Sequence, residues 1–167
     1  MPDFIAYFNG EWVPLSEVKI DPADRGFLVA DVVFDVARTF NGKSFRMKEH
    51  VDRLYRSLKY ARIDPGLSAD EMLRITEEVI RRNEPDRAEV GDFTIHQFVT
   101  RGPSPAPGEP ESPTVGDRLA AINFSRHAHF YATGVHGVIS KTRSYSPESL
   151  DPKIKHFSRM NFNLAQL

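Results

Sequence analysis

The sequence predicts a mixed α/β fold of the α+β kind, an antiparallel sheet with two helices. Three observations carry this. Asn9-Gly10 and Asn41-Gly42 each stand between runs of apolar and β-branched residues, the strongest short-range hairpin signal. Two successive segments, around 51–61 and 72–79, repeat apolar residues at helical spacing. Phe93 to Thr100 alternates with period two, as a strand does.

Composition bounds the rest. The 167 residues are 40% hydrophobic and 27% charged, enough for one sizeable core or for one domain and part of another. The formal net charge is −1 and like charges are not clustered, which gives no footing for a nucleic-acid or membrane-surface partner. There are no cysteines, so disulfides and thiolate metal sites are excluded. No apolar run approaches a membrane span and the N-terminus is unlike a signal peptide, so a cytoplasmic location is expected.

In order, Tyr7 to Val13 forms the first hairpin, Val18–Ile20 a short strand, and Asp21-Pro22 and Arg25-Gly26 mark loops. Val32 to Phe40 is a strand that turns at Asn41-Gly42 into 43–47. Its alternation puts Phe34, Val36, Arg38 and Phe40 on one face and Asp35, Ala37 and Thr39 on the other. Arg38 breaks the apolar pattern of its face, as happens at sites and at sheet edges. Val51, Leu54, Tyr55, Leu58 and Ala61 form a helical stripe that stops by Asp64-Pro65-Gly66. Ser68 and Glu71 make a capping box ahead of Met72, Ile75 and Val79. Residues 103–113 carry five prolines and read as a functional or mobile loop. Leu119 to Phe124 resumes as a strand, 126–134 links to a second domain, and Val135 to Ser140 is that domain's first strand.

Candidate chemistry concentrates near the end of the chain. Asp151-Pro152 is a turn, and Ile154, Phe157, Met160 and Leu164 follow at helical spacing, so a buried helix face is expected. Lys155 lies where the turn meets that face. Partial desolvation there lowers a lysine pKa, the condition for a carbonyl-attacking amine; a solvated surface lysine is the alternative. His50 and Arg53, at i, i+3, share a helix face, and Arg53 is a fork-shaped donor suited to phosphate, or half of an ordinary surface pair. His127 and His129 alternate as two imidazoles on a strand face would, but no third ligand accompanies them and no metal site is expected.

Taken together the pieces resemble the class IV aminotransferases, the fold-type-IV enzymes that use pyridoxal phosphate. The resemblance rests on Phe8-Asn-Gly-Glu-Trp-Val-Pro14 with Asp24-Arg-Gly-Phe27. It continues in Asp31-Val-Val-Phe34-Asp-Val36, Asn41-Gly42 and Phe45-Arg-Met-Lys-Glu-His50-Val-Asp-Arg53-Leu54, and ends with Arg143 and Asp151-Pro-Lys-Ile-Lys155. Their order and spacing span essentially the whole chain. The resemblance implies a small N-terminal domain at 1–125, a linker at 126–134, and at 135–167 the start of a larger cofactor domain. It implies that Lys155 forms the Schiff base with pyridoxal 5′-phosphate, that Arg53 holds the cofactor phosphate, and that Phe34, Val36 and Arg38 face the substrate. It also implies amino transfer between an amino acid or amine and a keto acid or ketone, in a homodimer.

Family members continue well past this lysine, whereas the chain stops at Leu167. The N-terminal part of a longer protein, or a truncated one, is expected, holding half of a cofactor site. The loop after Arg101-Gly102 lacks the Arg-x-His pair of the D-amino-acid enzymes, and Arg159-Met160 replaces the Asn-Tyr of many branched-chain enzymes. Asp151 to Phe157 looks more like the R-selective amine transaminases. Two alternatives remain: an aminodeoxychorismate lyase of the same family, and a truncated domain that binds no cofactor.

Overall fold

The computed structural model describes residues 2–167. Six strands run as β1 (Ile5–Phe8), β2 (Glu11–Pro14), β3 (Val32–Phe40), β4 (Lys43–Ser44), β5 (Phe93–Thr100) and β6 (Val115–Ala121). They form one antiparallel sheet in the order β2-β1-β6-β5-β3-β4. The helices are α1 (Arg25–Val29), α2 (Met47–Ala61), α3 (Ala69–Asn83), α4 (Arg87–Val90), α5 (Phe130–Thr133) and α6 (Met160–Gln166).

Both Asn-Gly hairpins form. Asn9 and Gly10 sit at φ 50° and 95°, Asn41 and Gly42 at 54° and 78°, the left-handed pair that a tight hairpin needs. The second return strand is only two residues long, because Arg46 turns left-handed and α2 begins at Met47. The capping box is present, with Ser68 Oγ accepting from Glu71 N and the Glu71 carboxylate accepting from Ser68 N.

The helices α2 and α3 cover one face of the sheet. Val51, Leu54 and Leu58 of α2 and Met72 and Val79 of α3 bury against Val33, Ala37, Ile95, Val99 and Leu119. The opposite face carries Phe34, Val36 and Arg38 across from Phe98, His96 and Thr94, and is only partly covered.

Several expectations are corrected. Val18–Ile20 forms no strand among the described residues; Val18 N closes a 3-10 turn on Leu15 O. Arg25–Val29 is helical because Asp24 caps it, accepting from Gly26 N while its carboxylate accepts from the Thr100 and Thr114 hydroxyls. The strand expected at 119–124 runs from Val115 to Ala121, since Asn9 exchanges two hydrogen bonds with Val115 and fixes its start. Residues 125–133 form short helical turns, not the strand face on which His127 and His129 would meet; both rings lie against Phe130.

The strand expected at 135–140 is absent among the described residues. Val135, Val138 and Ile139 are 71%, 91% and 95% exposed, and without a paired neighbour an apolar run forms no strand. The buried helix face expected from Ile154 to Leu164 is not present either. Residues 155–157 are extended along β3, α6 begins at Met160, and Met160 and Leu164 are exposed.

Candidate active site

Strand β3 organises the site through its alternation. The expected polar break was Arg38, but the deeper one is Asp35, on the helix-covered side and without exposed surface. A buried carboxylate is tolerable only when its lone pairs are used. Here Arg53 Nε donates to Oδ2 at 2.7 Å and Arg53 Nη2 to Oδ1 at 2.8 Å, while His50 Nδ1 lies 2.7 Å from Oδ1. An ionised carboxylate only accepts, so Nδ1 carries the imidazole proton and donates it. Burial raises the Asp35 pKa, but the Arg53 and His50 hydrogen bonds outweigh it and hold the carboxyl below its ordinary range. The shared face of His50 and Arg53 meets Asp35.

Lys155 reaches the site by a different route. Asp151 starts a turn closed by Ile154 N on Asp151 O, and the chain then lies along the free edge of β3. Phe34 N donates to Lys155 O at 3.0 Å, Phe157 N to Val32 O at 3.4 Å, and Lys155 N to the buried Ser57 Oγ at 3.2 Å. These bonds fix the backbone of Lys155 between β3 and α2. Its Nζ stands 4.3 Å from the centre of the Phe34 ring. Burial, the largest influence, lowers its pKa; Asp35 opposes, and Arg53 and Arg159 add to the lowering. A cleft of about 300 Å³ opens here, lined by Arg53, Tyr145, Ile154, Lys155, His156 and Arg159 among others. An amine of lowered pKa and two guanidinium groups thus share one concavity.

Of the residues singled out from sequence, Lys155 and Arg53 line this cleft and Phe34 underlies the Lys155 amine. Val36 and Arg38 do not line it. Arg38 donates to its neighbour's carbonyl, Thr39 O, and its guanidinium lies 3.8 Å from the Phe40 ring and 4.8 Å from Phe124.

Further along the open sheet face, a second pocket of about 260 Å³ is lined by Val32, His96, Phe98, Arg118 and Phe157 with residues of α1. Phe157 packs on Phe34 with ring centres 4.2 Å apart, so the pair stands between the two concavities. Burial, with help from Arg118 and Lys155, takes the His96 pKa down to about 4, so its ring is neutral near pH 7.

Sequence reasoning passed over Asp35, Ser57, His96 and Arg118. For Asp35 a signal existed, an acid at the centre of an apolar strand on the same face as Ala37. Ser57, one helical turn beyond Arg53, carried none.

The family described as amino-transferase class IV matches residues 32–167. A Methanocaldococcus jannaschii protein, provisionally named a branched-chain-amino-acid aminotransferase, is 30% identical over 164 residues, covering 96% of this chain and 54% of that protein. A D-alanine aminotransferase of Staphylococcus aureus is 29% identical over 134 residues, 79% of this chain and 46% of its own. The fold is similar to that of the branched-chain aminotransferase of the thermophilic archaeon Thermoproteus uzoniensis, solved with norvaline. That likeness has a TM-score of 0.78 at 18% identity over 96% of this chain and 54% of that one. The chain spans about half the length of the relatives it matches. With the family matched over most of its residues, including both Arg53 and Lys155, the chain belongs to the class IV aminotransferases.

Proposed function

We propose that the whole protein is a pyridoxal-phosphate-dependent transaminase whose reacting amine is Lys155. The observation that carries this is the pairing of a lysine of lowered pKa with Arg53 in one cleft. The donor set fits the cofactor: an amine for its aldehyde, and the guanidinium groups of Arg53 and Arg159 for its phosphate. Bound there, pyridoxal phosphate supplies an aldehyde open to attack by an amine and a ring that draws electrons from the reacting carbon.

The residues divide the work. Burial favours the neutral form of Lys155 Nζ, the form that attacks a carbonyl. As a free amine, the same nitrogen would take up and return a proton, as base and acid, beside the substrate carbon. The bonds to Phe34 and Ser57 hold the Lys155 backbone, from which that side chain reaches the cleft. Phe34, Val36 and Arg38 are assigned to the substrate side because they share the open face of β3. On the same face Arg118, beside a neutral His96, offers a cation to a carboxylate.

Residues 1–125 are read as the small domain, 126–134 as a linker, and 135–167 as the opening of the cofactor domain. A homodimer is supported by the apolar surface of α1, where Phe27, Leu28 and Val29 are 61–72% exposed.

The test is an amino-transfer assay on the whole protein with a set of amino acids and keto acids. Lys155→Ala should abolish transfer. Release of pyruvate from aminodeoxychorismate, with no requirement for an acceptor, would assign the lyase reaction instead.

A further inference from the structure

The inference rests on the reading of Arg53 as the arginine that holds a phosphate, and concerns the residue behind it. A guanidinium at a helix surface samples many rotamers, and freezing one of them on binding costs affinity. In this chain the freezing is already done. Asp35 engages Nε at 2.7 Å and Nη2 at 2.8 Å. Because the guanidinium is planar, fixing two of its nitrogens fixes the direction of the third, Nη1, which the pair leaves outside.

Asp35 is itself immobile. It lies in the middle of β3, paired in register with Gln97 of β5, with no exposed surface. Its Oδ1 also accepts from Val36 N at 2.7 Å, and His50 Nδ1 closes the carboxylate from another side.

The geometry points to Asp35 as a positioning residue for anion binding in the cleft: it presets Arg53 for a phosphate group, such as that of a phosphorylated aldehyde, without touching the phosphate. Its contribution is orientation, since its charge opposes the anion. That opposition gives the test its sign. If charge alone mattered, removing it with Asp35→Asn would tighten phosphate binding. If orientation matters, the same change weakens it, because an amide cannot accept from both nitrogens of the fork.

The experiment compares inorganic phosphate, pyridoxal phosphate and unphosphorylated pyridoxal on the whole protein, by ³¹P NMR and by fluorescence titration. Asp35→Asn should weaken both phosphate-bearing probes about tenfold, the scale of losing a supporting side chain behind a binding group, and leave pyridoxal almost unchanged. Asp35→Glu, which restores a carboxylate, should recover most of the loss. Phosphate affinity that is unchanged or tighter in Asp35→Asn overturns the proposal.

Circular dichroism checks that the variant folds. If it does not, Arg53→Lys keeps the charge and loses the fork; wild-type phosphate affinity there also overturns the proposal, and a phosphate-selective loss supports it. Phosphate affinity retained in Arg53→Ala would remove the phosphate role of Arg53 itself, and with it the role of Asp35.

Discussion

Phe34 and Lys155 hold each other twice. The N–H of Phe34 donates to the carbonyl of Lys155 at 3.0 Å, and the Lys155 side-chain nitrogen stands 4.3 Å from the centre of the Phe34 ring. The backbone bond sets where the lysine leaves the chain. The ring takes water away from its amine.

Phe34→Ala should therefore raise the pKa of Lys155 back toward its ordinary value, because the vacated ring volume admits water and burial is what lowers it. The pH dependence of pyridoxal addition to Lys155 reads this directly. Its midpoint should move upward in Phe34→Ala and stay near wild type in Phe34→Leu; a downward shift would mean that the ring stabilised the ammonium instead.

Asp117 gives the sheet core a pH dependence of its own. It is fully buried, and burial raises its carboxyl to about 7, against an ordinary 3.8, with the Thr76 hydroxyl opposing. The folded state thus holds the proton more tightly than the unfolded one. Stability is fully present below the unfolded pKa and is lost as pH climbs toward 7, on the order of 4 kcal/mol in all. Asp35, whose carboxyl is lowered, acts in the opposite sense, its contribution being lost only as pH falls below the ordinary carboxylate range. Melting temperatures should fall as pH rises from about 4 to about 7, and Asp117→Asn should remove most of that fall. An equal slope in the variant would assign the loss elsewhere.

Asp24 ties α1 to the two strand ends at Thr100 and Thr114. Its carboxylate accepts from both hydroxyls, at 2.8 and 2.6 Å, and from Gly26 N at 2.6 Å. Asp24→Ala leaves three donors without an acceptor in a buried place, which should cost at least about 2 kcal/mol. Urea denaturation measures it.

What the sequence made legible was what local chemistry decides. Asn-Gly turns, the Ser68–Glu71 box and the period of β3 and β5 are written in neighbouring residues, and each formed where it was expected. The errors fall where distant residues decide. Asn9 sets the start of β6 from far away in the chain, and Lys155 lies extended because the edge of β3 is free. A helical spacing from Ile154 to Leu164 could not reveal that its first residues were claimed by a strand. Arg38 was legible as a charge among apolar neighbours, and its guanidinium rests on Phe40 and Phe124; Asp35, on the other face of the same strand, is paired with His50 and Arg53, partners that only the fold brings to it.

Covalent trapping bears most directly on the role of Lys155. Treated with pyridoxal phosphate, reduced with borohydride and digested, the whole protein should carry the added mass on the peptide that contains Lys155, and Lys155→Ala should carry none. Label spread evenly over exposed lysines such as Lys19, Lys43 and Lys48, or undiminished in Lys155→Ala, would contradict it.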